Sequence, residues 1–131
     1  MTHLRIALGL ALAAVFTETA HAAPRPSYSQ TYDACMAGAK STLDMNACNA
    51  AELKLRDAAL NVAYTKALVR ASGAADAFKG AERAWIAYRD ADCGVYANRE
   101  AFGSLGTVEA GTCLIDRTIE RTRALEAFRP Y

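Results

Sequence analysis

The chain has 131 residues, 15 lysines and arginines against 14 aspartates and glutamates, a formal net charge of +1 and a mean hydropathy near zero. That is one domain's worth of chain, and a balance so even excludes the basic blocks of nucleic-acid binders and the polybasic stretches of membrane-surface proteins. No cation run interleaved with aromatic residues occurs anywhere in it.

Met1 to Ala22 carries Arg5, then the apolar run Ile6 to Phe16, then Ala20-His21-Ala22. This order of cation, apolar stretch and small residues reads as a secretory signal peptide cleaved after Ala22. The run is about half the roughly 20 residues of a membrane-spanning helix, and no second one follows. The mature chain is therefore expected to be soluble, without a membrane span, in the periplasm or outside the cell. The first cysteine is Cys35, too far from the cleavage point for a lipid anchor.

Cleavage removes His3 and His21, the only histidines. Without imidazole there is no Ser-His or Cys-His nucleophile pair, no histidine base and no histidine metal ligand. No catalytic residue is assigned, and a hydrolase working through scattered carboxylates alone is disfavoured. Arg5 and Glu18 leave together, so the net charge stays at +1.

Residues 23–31, with Pro24, Pro26 and several hydroxyl side chains, read as a disordered leader to a domain over residues 32–129. Cys35, Cys48, Cys93 and Cys113 all fall in that domain. An even count in a small exported chain reads as two disulfides. Of three possible pairings, the local ones, Cys35 with Cys48 and Cys93 with Cys113, are favoured. No Cys-x-x-Cys pair exists, which disfavours zinc, and neither a metal nor a cofactor is expected.

The expected fold is all-α, a small bundle of three to four helices stapled by the two disulfides. A brief helix spans 32–39. Ser41 and its neighbours supply caps for a long helix over 45–71, and Ser72-Gly73 breaks it. Ser72 can cap a helix over 74–98, and Thr107 one that runs to Phe128. The glycines at 103, 106 and 111 suggest a loose, flexible connection between these last two.

At 100° per residue the long helix carries two apolar stripes. Leu53, Leu60, Tyr64 and Leu68 form one, and Cys48, Leu55, Val62 and Val69 lie nearly opposite. The preferred reading places the helix centrally, with neighbours on both sides. The alternative makes Leu55, Val62 and Val69, flanked by Ala51 and Ala58, a dimer or partner face. The next helix has the stripe Phe78, Ala81, Trp85, Tyr88 and Tyr96, with Arg89 within it, and the last has Leu114, Thr118, Leu125 and Phe128, with Arg121 within it. A cation in an apolar stripe needs a carboxylate or carbonyls; Glu52, Asp57 and Asp92 are the candidates. Both arginines read as clasps between helices rather than ligand-binding groups. Trp85 and Tyr88 read as core rather than as a sugar-stacking platform.

Cys35, Met45-Asn46-Ala47-Cys48, Glu52, Leu60-Asn61-x-x-Tyr64, the run from Ala81 to Cys93 containing Trp85, Tyr88 and Arg89, and Cys113 followed by Thr118, Arg121 and Leu125 together resemble the LprI-like lysozyme inhibitor, N-terminal domain family. The likeness spans Cys35 to Leu125 and departs at Glu82, where a glutamine is expected. It implies a secreted or envelope helical domain with paired cysteines and, for some members, inhibition of lysozyme. The matched residues, Glu52, Asn61, Tyr64, Trp85, Tyr88, Arg89 and Arg121, are implied as builders of the fold rather than as inhibitory groups.

The leading functional reading is thus a binding protein that blocks a glycan hydrolase, with lysozyme as the protein partner. Its candidate contact stretch is Arg99 to Thr107, where Phe102 and Leu105 could anchor while Arg99 or Ser104 reaches a carboxylate; the plain alternative is an ordinary connection. Animal lysozymes tend to be basic, so a chain of net charge +1 offers them little steering. The other reading is an envelope interaction or adaptor module with a different partner, homodimeric through the second stripe.

Overall fold

The computed structural model describes residues 27–130, so the expected signal peptide lies outside the described residues. Five helices follow in order: α1 (Gln30–Gly38), α2 (Thr42–Arg70), α3 (Ala75–Gly94), the one-turn α4 (Arg99–Phe102) and α5 (Gly106–Ala127). Single 3-10 turns at Ser72–Ala74, Val95–Ala97 and Gly103–Leu105 join them, and no strand occurs among the described residues. The all-α expectation holds.

α2 runs 29 residues because nothing between its ends breaks it. The Ser41 side chain accepts from the Asp44 amide at 3.1 Å, satisfying one of the free amides of the first turn. Two other caps are corrected. Ser72 sits in a 3-10 turn and α3 starts at Ala75 with no side-chain cap. Thr107 lies inside the first turn of α5, whose capping position is Leu105.

The leader is also shorter than expected. Ser29 caps α1, accepting from the Tyr32 amide, and the Tyr28 hydroxyl donates to Asp116 at 2.6 Å. Residues 28–31 thus belong to the domain.

α2 and α5 run side by side in the same direction, since Asn49 Nδ2 donates to the Val108 carbonyl at one end and Arg70 donates to the Leu125 and Phe128 carbonyls at the other. α3 runs the opposite way, joined to α2 by Arg89 to Asp57 and to α5 by Arg121 to Glu82. α1 doubles back on the start of α2 through the Cys35–Cys48 disulfide and a 2.8 Å bond from Tyr32 to Asn49. The second disulfide is Cys93–Cys113, so the favoured local pairing is the one formed. In the chain-entropy account, closing loops of 13 and 20 residues is worth about 3 kcal/mol each.

The core has two parts. Tyr32, Cys48, Ile115 and Ile119 fill one end, and Leu60, Ala63, Ala67 and Leu125 the other, with Tyr64, Phe78, Trp85 and Phe128 packed against them. Ile115, Leu125 and Thr118 are the most completely enclosed side chains on α5. Two expectations fail here. Leu55, Val62 and Val69 are 51%, 55% and 74% exposed, so α2 has neighbours on one side of its length and not on both. Tyr88 is 55% exposed and is no core residue.

Candidate functional site

The segment between α3 and α5, read from its glycines as loose, is built. Its ends are tied by Cys93–Cys113. The Asn98 side chain accepts from the amides of Glu100 and Ala101 at 3.0 and 3.2 Å and so caps α4. Gly103 takes φ +65°, a value open to glycine, and turns the chain into the next 3-10 turn. Gly106 then presses its backbone against the Tyr96 carbonyl and lies 2.9 Å, measured from where a Cβ would stand, from Phe102 Cβ. The Tyr96 and Phe102 rings pack at 5.4 Å. Asn46 and Asn49 fasten the segment to α2 through Thr107 and Val108.

This knuckle leaves apolar groups in water. Val95, Tyr96, Phe102 and Leu105 are 60%, 38%, 41% and 53% exposed on this braced backbone. Arg99 and Ser104 are exposed beside them, and Arg99 forms no ion pair among the described residues. A groove of about 280 Å3 opens next to Tyr96, floored by Glu109, Thr112, Asp116, Arg117 and Glu120. Arg117 spans it, donating to Asp92 and Glu120 at 3.1 and 3.2 Å. The Glu120 bond raises the guanidinium's pKa, the more so with Asp92, and partial burial only opposes this.

Charge is divided between the two ends of the bundle. Residues 30–56 and 85–116, the half of the bundle nearer the knuckle, carry eight acids against five cations. Residues 57–84 and 117–129, the far half, carry eight cations against five acids. A near-neutral molecule is therefore polarised along its length, by three charges each way.

The remaining sequence-nominated residues lie elsewhere. Trp85 is flanked by two guanidiniums, Arg89 at 5.3 Å and Arg121 at 5.6 Å from its ring centre. Arg89 also reaches Asp57 at 3.3 Å, Thr118 at 3.1 Å and Asp90 at 2.9 Å, and Arg121 donates twice to Glu82 at 2.9 and 2.6 Å. Tyr64 stacks on Phe78, and Asn61 is exposed. Glu52 accepts from the Ser29 amide and hydroxyl and from Arg56, not from Arg89 or Arg121. Asp92 pairs with Arg117. Asp92, Cys93 and Cys113 stand close together, but both sulfurs are in the disulfide and offer a metal no thiolate.

Sequence reasoning nominated Arg99, Phe102, Ser104 and Leu105, all of which the structure leaves exposed on this segment, but did not single out Val95 or the acid-lined groove. The signal was present in the spacing of Glu109, Asp116 and Glu120, which puts all three on one side of α5.

The family model for lysozyme inhibitor LprI matches residues 33–125. The chain belongs to the LprI family. An uncharacterised protein of Rhizobium meliloti (strain 1021) is 32% identical over 102 residues, covering 67% of this chain and 73% of the relative. No solved structure matches. The LprI match takes in both disulfides, the arginine-flanked Trp85 and the whole knuckle.

Proposed function

We propose that this protein binds a lysozyme outside the cytoplasm and blocks it, using the Cys93–Cys113 knuckle as its contact surface, and that it catalyses nothing itself. Membership of a lysozyme inhibitor family supports the target. The observation that carries the contact surface is the exposure of Val95, Tyr96, Phe102 and Leu105 on a segment that a disulfide, an asparagine cap and a glycine contact hold in place. Apolar side chains on a preorganised backbone lose little entropy on docking, which is how a few anchors come to dominate an interface. Two disulfides suit an oxidising compartment.

Lysozyme cleaves glycan between two carboxylates in a groove. Occluding that groove requires no chemistry from the inhibitor. Phe102 and Leu105 supply apolar anchors, and Arg99, free of any ion pair among the described residues, supplies a cation for a carboxylate at the groove's edge.

The test is the rate at which lysozyme clears a cell-wall suspension with and without the oxidised protein. The double variant Phe102→Ala/Leu105→Ala should weaken protection by tenfold or more, as the loss of about 1.4 kcal/mol or more at a hot spot implies. Ile86→Ala, exposed on α3, should leave it unchanged. No protection by the unaltered protein against animal-type or goose-type lysozymes would sink the proposal.

A further inference from the structure

We propose that two copies of this chain pair antiparallel through the uncovered stripe of α2, with Val62 on the two-fold axis. Cys48, Leu55, Val62 and Val69 recur at seven-residue steps, with Ala51 and Ala58 between them. Seven residues fall about 20° short of two full turns, so these side chains form one line along the helix. Large residues alternating with small ones on such a line are the pattern by which one helix seats on another.

The line is covered at one end only. α1 lies over Cys48 through the disulfide to Cys35, while Leu55, Val62 and Val69 stand open. The open stretch therefore begins where α1 stops and ends where α2 does, at Arg70. Its midpoint is Val62. A second α2 laid antiparallel over this stretch puts Leu55 against the partner's Val69 and Val62 against the partner's Val62. Each α1 then acts as a stop that fixes the register. Lys66 falls opposite the partner's Ala58, where its aliphatic stem can lie flat with the ammonium in water.

Charge selects the direction. The knuckle lies at the start of α2 and carries the excess of acids, whereas the excess of cations lies at the other end. A parallel pair would set acidic end beside acidic end. An antiparallel pair sets each acidic end beside the partner's basic end, a closed and self-complementary arrangement. Three open side chains and two alanines a side fall short of the roughly 1,200 Å2 total of a standard interface, so the dimer is weak and concentration-dependent. The knuckles are left uncovered at opposite ends, and the inference does not depend on what they bind.

Sedimentation equilibrium on the oxidised chain, taken up to ~1 mM where a weak dimer is populated, should show reversible dimerisation that weakens as salt is raised. Val62→Glu, at an exposed position, should be monomeric with an unchanged circular dichroism spectrum. Val62→Cys should cross-link efficiently on mild oxidation, Val69→Cys several-fold less, and a mixture of Leu55→Cys with Val69→Cys should recover cross-linking. A monomer at every concentration overturns the proposal, as does a dimer that survives Val62→Glu. Val69→Cys linking better than Val62→Cys overturns the antiparallel register. A monomer whose Val62→Glu variant loses lysozyme protection would assign the stripe to another protein instead.

Discussion

Glu52 shows how one buried charge is kept. It is 3% exposed, and three donors reach it: the Ser29 hydroxyl at 2.6 Å, the Ser29 amide at 3.0 Å and Arg56 Nε at 2.8 Å. Burial pushes its carboxyl up, but the Ser29 bonds and the Arg56 guanidinium outweigh that and hold it below the usual carboxylate range. A depressed folded-state pKa contributes stability that is present above the unfolded value of about 4.3 and is lost as pH falls through the folded value. Glu52→Gln should therefore lower stability by about 1 to 3 kcal/mol at neutral pH and flatten its decline in acid. Urea midpoints at pH 7 and about pH 3 measure both, and an unchanged acid slope in the variant would assign it to other groups. The sequence nominated Glu52 as an arginine's partner across helices, yet its partners are Arg56, one turn away, and Ser29 in a stretch read as leader. The carboxylate that holds Arg121 is Glu82, noticed only as a departure from the family pattern. A helical wheel says which side of its own helix a residue occupies, not which residue of the next helix stands opposite.

At the scale of elements, the long helices were legible because their stops are chemical: Ser41 before α2, Ser72-Gly73 after it and Pro130 beyond α5. The knuckle was not legible, because glycines that signal looseness in a sequence can equally mark close packing. Gly94 and Gly106 separate these meanings. A Cβ at Gly94, in the last turn of α3, meets nothing within 4 Å, whereas at Gly106 it meets the Tyr96 carbonyl, which belongs to the backbone and cannot rotate aside. Gly94→Ala should stabilise by about 0.5 to 1 kcal/mol, the helix propensity gained. Gly106→Ala should destabilise by about 1 to 3 kcal/mol, as overpacking does, and lower lysozyme protection more than stability alone accounts for. Denaturation midpoints beside the clearing assay would show it. Equal protection by the two variants at matched folded concentration would mean that the knuckle's shape is not what the target reads. The second stripe of α2 failed as a core prediction for a related reason: periodicity reports that a face is apolar, not that this chain covers it.

For the whole molecule, net charge and charge placement give opposite expectations about association. A sum of +1 offers a basic lysozyme no attraction. The half nearer the knuckle, however, holds eight acids against five cations within residues 30–56 and 85–116, and an approaching protein within a Debye length of about 8 Å senses that end and not the sum. Steering should thus favour approaches that bring the knuckle forward. Glu109→Lys and Glu126→Lys test this directly, since they change net charge by the same amount at opposite ends of α5. Glu109→Lys should slow association with a basic lysozyme several-fold at low salt, with the difference closing as salt is raised, while Glu126→Lys changes the rate little. Stopped-flow association rates at a series of salt concentrations separate the two views. Equal slowing by both variants would mean that the sum governs encounter, and a rate indifferent to both would mean that the partner does not arrive at the acidic end.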